Sequence, residues 1–228
     1  MNLTRLVPVV ILSLFVCGVS EAGTVLFSDI GSSPTQAWSS GGYSVSGATS
    51  GNGAEIWWAA SFTVSGTGNF SVTEADFALS YLANPSVTLA SVWSDVGGAP
   101  GADIGPVWSL TPTTEFSDCC TPVSQTGITG LTLTGGTTYF MVMKPQVSDS
   151  NAWNLWYVNN QGDYDAMYYS DNEGPWMPNP NFGTQIVAFD LTGNAISSGA
   201  PEPSTISLLG TGAALLGLLR FRGKRQLT

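Results

Sequence analysis

The sequence predicts an all-β domain, a two-sheet antiparallel β-sandwich of jelly-roll type, and three observations carry that prediction. Short runs rich in Val, Thr, Phe, Tyr and Trp recur along the body, as strands require. Turn-forming residues punctuate them at Gly97-Gly98-Ala99-Pro100, Gly135-Gly136 and Gly174-Pro175. No stretch of the body sustains a helical period. Many short strands in one domain of this length are best buried as two packed sheets.

The first run, 72–82, carries Val72, Thr73, Phe77 and Tyr81, and the second, 87–93, ends on Val92-Trp93 before the Gly-Gly turn. Residues 131–133 and 137–143 flank Gly135-Gly136, and 154–158 holds Trp156-Tyr157-Val158. In 184–191, Val187, Phe189 and Leu191 alternate with Ala188 and Asp190, the pattern of a half-buried strand.

Both ends of the chain read as targeting segments. Arg5 supplies a short positive start, 6–19 is apolar, and Ser20-Glu21-Ala22 offers small residues for cleavage, so 1–22 is expected to be a signal peptide. Cys17 follows Val16, where lipidation needs a small residue, so a lipid anchor is not expected. At the other end a linker, 196–203, leads into an uncharged apolar segment, 204–219. The basic tail 220–228 follows, with Arg220, Arg222, Lys224 and Arg225. The fourteen residues of 206–219 rise about 21 Å as a helix against a hydrocarbon core of about 30 Å. Extending the helix to Ser204 and letting the arginines snorkel narrows that gap. The basic cluster places the tail in the cytoplasm and the body, 23–195, outside it.

Pro201-Glu202-Pro203-Ser204-Thr205, the short apolar helix and the Arg/Lys cluster, in that order, resemble the PEP-CTERM sorting signal. The resemblance implies that exosortase, an integral-membrane cysteine transpeptidase, recognises Pro201, Glu202 and Pro203 and removes the helix. The two prolines hold an extended strand that presents one carboxylate at the membrane surface. The implied course is a precursor held transiently in the inner membrane, then a cell-surface or extracellular protein of the exopolysaccharide or biofilm matrix.

Between the two signals, fourteen carboxylates face the single cation Lys144, giving the body a net charge of −13. Such a surface stays soluble, repels nucleic acid and attracts divalent cations or cationic partners. A second resemblance covers most of this span. Ala60-Ser61-Phe62-Thr63-Val64, residues 87–93 with Ser94-Asp95-Val96-Gly97-Gly98-Ala99-Pro100-Gly101, Leu131-Thr132-Leu133 with Thr137-Thr138-Tyr139-Phe140, Ser170-Asp171-Asn172-Glu173-Gly174-Pro175-Trp176 and Phe189-Asp190-Leu191-Thr192-Gly193 look like the choice-of-anchor bacterial surface domains. That family implies no catalytic activity.

Enzyme chemistry has little material. The chain has no histidine, which removes the commonest general base and metal ligand. Glu55, Glu74, Asp76 and Glu115 are available as paired carboxylates for glycoside hydrolysis, but acids in so negative a domain are mostly solvated turns and edges. The expectation is therefore no enzyme and no certain cofactor.

Asp163, Asp165, Asp171 and Glu173 offer hard oxygens at short spacing in a Gly-rich stretch, which suits Ca²⁺; the alternative is two acidic turns capping backbone N–H groups. Neighbouring aromatics on a strand point to opposite faces, so Trp57 or Trp58, and Trp156 or Tyr157, are candidates with Trp176 for an exposed platform. A carbohydrate-binding module, holding extracellular polysaccharide on such rings with or without calcium, is the alternative to a plain surface protein. Packing within the sandwich is the competing use of the same rings. The stretch from Asp163 to Trp176 is expected to be a loop combining acids and aromatics. Cys119-Cys120 leave three states open, a vicinal disulfide, buried thiols or intermolecular bridges, and the flanking Asp118 and Thr121-Pro122 favour the first.

Overall fold

A computed structural model of the chain describes residues 23–32, 37–118, 121–180 and 185–196. The expected signal peptide, Cys119-Cys120, Pro201-Glu202-Pro203, the apolar segment 204–219 and the basic tail lie outside the described residues. Among the described residues no helix is long and apolar enough to cross a membrane.

Fifteen strands are described: β1 (Thr24–Ser28), β2 (Gly42–Ser46), β3 (Ile56–Thr63), β4 (Asn69–Phe77), β5 (Leu79–Tyr81), β6 (Thr88–Val96), β7 (Ala99–Asp103), β8 (Trp108–Leu110), β9 (Val123–Thr126), β10 (Thr132–Thr134), β11 (Thr138–Pro145), β12 (Trp153–Tyr157), β13 (Met167–Asp171), β14 (Met177–Pro178) and β15 (Phe189–Ala195). They form two sheets whose strand pairs are antiparallel. The smaller runs β1-β15-β4-β10, with β9 sharing an edge of β4. The larger runs β5-β12-β2-β3-β11-β6-β7, with β8 on β6 and β13-β14 on β3. The fold is all-β, as the composition and turn spacing predict.

The period of two decides which side chains meet between the sheets. On the larger sheet Trp58, Ala60 and Phe62 of β3 face inward with Met141 and Met143 of β11 and Ala90 and Val92 of β6. The smaller sheet answers with Leu26, Phe70, Val72, Ala75, Phe77, Phe189 and Leu191. Phe189 ties the layers together: its ring lies 4.6 Å from Phe27, 5.5 Å edge-on from Phe62, 5.9 Å from Trp156 and 6.5 Å from Phe77. Such ring pairs favour offset and edge-to-face contact, which fixes the sheets against sliding.

The spacing of buried residues on β4 is irregular, and a bulge explains it. Thr192 pairs with Glu74 while Gly193 pairs with Val72, so Thr73 is an extra residue. Phe70 and Val72 precede it in phase; Ala75 and Phe77 follow in the other phase, yet all four reach the core. A similar shift between Val25 and Phe27 lets both Leu26 and Phe27 pack inward.

Several boundaries differ from the sequence reading. The expected strand 72–82 breaks at Ala78, whose N–H leaves the ladder to bond Ala188 O at 3.2 Å, giving β4 and β5. The expected four-residue turn is the pair Gly97-Gly98, both at positive φ, and Ala99-Pro100 already belong to β7 at the end of the sheet, where proline is tolerated. The stretch from Asp163 to Trp176 is not all loop, because Met167–Asp171 is β13, paired with β3.

Candidate functional site

At one end of the sandwich three segments converge: the chain leaving β1, the connection from β12 towards β13, and the approach to β15. Backbone bonds hold them together. Asp29 N–H donates to Phe189 O at 3.1 Å, Asn159 N–H to Ile186 O at 2.8 Å, and Ile186 N–H to Asp163 O at 3.2 Å. Gly31 lies so close to this connection that an added Cβ would fall 2.9 Å from Asn160 Oδ1 and 2.5 Å from Gln161 Nε2.

Asn159 shapes the connection. Its side chain is fully buried; Oδ1 accepts from the N–H groups of Gln161, Gly162 and Asp163 at 3.0, 3.0 and 3.2 Å. Its Nδ2 donates to Asp163 O at 2.9 Å and Ile186 O at 2.8 Å. A buried amide with this many partners is fully satisfied, and it pins the turn that carries Asp163 and Asp165 against the strand that carries Asp190.

Four carboxylates gather there. Asp190 Oδ1 accepts from the N–H groups of Asp29 and Ile30 at 2.9 and 3.0 Å, and Asp163 and Asp165 stand exposed on the pinned turn. Asp29 is 1% exposed, and neither of its carboxylate oxygens meets a hydrogen-bond donor. The side chain within hydrogen-bonding reach of it is another acid, Asp163. Burial, then the adjoining Asp163 carboxyl, then the charges of Asp163, Asp190 and Asp165 push the Asp29 carboxyl up to about 8. Across the β4–β15 ladder Asp76 stands directly opposite Asp190, and like charges so placed repel. Among the described residues, no three acidic or cysteine side chains already surround one point as a finished metal cage would.

The expected four-acid group therefore divides. Asp163 and Asp165 join Asp29 and Asp190, whereas Asp171 ends β13 opposite Ile56 and Glu173 lies in the turn beyond it. Six residues of largely extended chain, roughly 20 Å, separate Asp165 from Asp171, too far for one ion. Sequence reading missed Asp29 because β1 was not anticipated, and treated Asp190 only as the polar phase of its strand.

The aromatic candidates divide as well. Trp156 is fully buried between the sheets and Tyr157, 2% exposed, is buried on the opposite face, so this pair offers no platform. Alternation does turn Tyr157 away from the main core, but Ala37 and Trp38 cover it, with the Trp38 ring stacked 5.8 Å away. Trp58 turns inward against Tyr43 and Tyr169. Trp57 and Trp176 do share the outer face of the larger sheet with Trp93, over buried Ala59, Phe140 and Val142. Trp176 is 5.7 Å from Trp93 at 86°, edge-on, and 6.3 Å from Trp57 at 59°, tilted, so these half-buried rings are not coplanar and form no flat surface. Lys144 sits 5.0 Å over Trp57, whose Nε1 donates to Glu55 at 2.7 Å.

Of the carboxylates weighed for glycoside hydrolysis, Glu74 and Asp76 share β4, where Asp76 accepts a hydrogen bond from Ser124, whereas Glu115 bridges towards Tyr81 and Glu55 precedes β3. No protein-family model matches this chain, and no curated protein matches it either.

Proposed function

We propose that this protein is an exported, non-enzymatic surface or matrix protein, a jelly-roll-like sandwich delivered through the membrane and released by exosortase at Pro201-Glu202-Pro203. What carries the reading is where the described strands begin and end. The first starts at Thr24, just past the expected cleavage after Ala22, and the last ends at Ala195, before the linker. Removing 1–22 and the tail from Pro201 onward would take away none of these strands. The two end strands, β1 and β15, are neighbours in one sheet, with Thr24 opposite Gly193. The β1–β15 pair thus closes entirely within residues 24–195, which supports a body that keeps its strands after both cuts.

The test is replacement of Pro201, Glu202 and Pro203 by alanine in the native host, followed by fractionation and intact-mass analysis. The expected result is a membrane-retained chain ending at Thr228, against a released wild-type chain beginning near Gly23 and ending near Pro201. Equal release of the two would refute the sorting reading.

A further inference from the structure

We propose that Asp29, Asp163, Asp165 and Asp190 form a binding site for a hard divalent cation, Ca²⁺, at the end of the sandwich where β1, β15 and the β12–β13 connection meet. The inference does not depend on export or on tail processing.

A buried carboxylate is normally held by N–H or O–H donors, because a buried unpaired acceptor costs its full desolvation. Among the described residues Asp29 has no such donor; the Asp163 carboxyl lies beside it, and Asp190 and Asp165 stand close enough for their charges to act on it, without yet converging on one point. Among the described residues the only basic side chain is Lys144, and it lies over Trp57 on the outer face of the larger sheet. The remaining agents of charge balance are a proton or a metal ion. Calcium takes about six to eight oxygens in flexible geometry, and carboxylates and water supply them. Asp29 brings two oxygens with no other partner, and Asp190 keeps Oδ2 while Oδ1 holds the Asp29 and Ile30 N–H groups. Asp163 and Asp165 are exposed on the turn pinned by Asn159; Asp165 Oδ1 accepts from Ala166 N–H at 2.7 Å and leaves Oδ2 to offer, while the Asp163 carboxyl can rotate onto the ion with the backbone fixed. A proton shared between Asp29 and Asp163 would meet the same need, and that alternative gives no response to calcium.

The experiment uses the full chain in detergent, stripped with EDTA, with thermal unfolding followed near neutral pH as CaCl₂ is added. For a weak extracellular-type site, about 10 mM calcium is expected to raise the midpoint by roughly 3–8 °C. Asp29→Asn and Asp163→Asn should each abolish most of that rise, while Asp171→Asn, on the far side of β13, should keep it. Asp163 is an exposed turn residue, so its variant serves even if the Asp29 variant fails to fold. No rise in the wild type, or an equal rise in Asp163→Asn, overturns the site; the second result would mean that calcium acts on diffuse surface charge.

Discussion

Replacing Asp29 by asparagine isolates the cost of burying this carboxylate. In the folded protein burial, followed by Asp163 and the charges of Asp163, Asp190 and Asp165, pushes its pKa up to about 8, against an ordinary value of 3.8. The folded state thus holds a proton that the unfolded chain has released throughout that window. Stability must fall as pH rises from about 4 to about 8 and level off above, because the native state binds more protons. Four units at about 1.4 kcal/mol each set a ceiling near 6 kcal/mol. Asp163 and Asp165 are exposed and screened by solvent, so about 3 kcal/mol is the expected loss. Asparagine keeps the shape and removes the charge, and its amide can donate to Asp163. In EDTA the variant should match the wild type near pH 4 and exceed it by about 3 kcal/mol near pH 9. Urea denaturation of both proteins across that range measures the difference, and the chain has no histidine to titrate there. A gap that stays constant with pH would refute the claim that Asp29 is a buried, ionisable liability.

Two packing predictions follow from the same structure. Phe189→Ala removes the ring shared by Phe27, Phe62, Phe77 and Trp156 at a fully buried position, and should cost about 3–5 kcal/mol in denaturant unfolding; a loss under about 1 kcal/mol would mean the sheets do not meet there. Gly193→Ala places a methyl 2.5 Å from Ser71 O and 2.8 Å from Leu26 Cδ1 at the β15 bulge, and should cost about 1–3 kcal/mol by the same measurement.

Much of the larger sheet was legible because its strands carry strong, unbroken β composition. The expected 137–143 run lies within or beside β11, 87–93 overlaps β6, and 154–158 overlaps β12. Two of the strands that escaped notice have weak local signals, whereas β1, Thr-Val-Leu-Phe-Ser, was missed despite a strong one. β2 is Gly-Tyr-Ser-Val-Ser and β7 is Ala-Pro-Gly-Ala-Asp, sequences whose residues favour turns and loops. They are strands because their partners, β12 and β6, supply an edge to pair with. The end of the fold was misplaced for a related reason. Residues 185–188 have strand composition, but Val187 makes only an isolated bridge to Val158, and the regular ladder starts at Phe189.

The sites were less legible than the strands, and Tyr157 and Asp29 show why. Alternation along β12 correctly turns Trp156 and Tyr157 to opposite faces, yet it says nothing about Trp38, more than a hundred residues earlier, which stacks over the outward ring. In the same way the local spacing of Asp163 and Asp165 identifies a turn rich in hard oxygens but cannot reveal the acid it faces. The bond between Asp29 N–H and Asp190 spans 161 residues, and the turn carrying Asp163 meets them through Ile186. Periodicity assigns a side chain to a face; topology decides what lies opposite that face. A platform inferred from Tyr157 therefore failed when a distant loop covered it. The acidic turn gained a partner for the same reason, because closure of β1 onto β15 buried a carboxylate beside it.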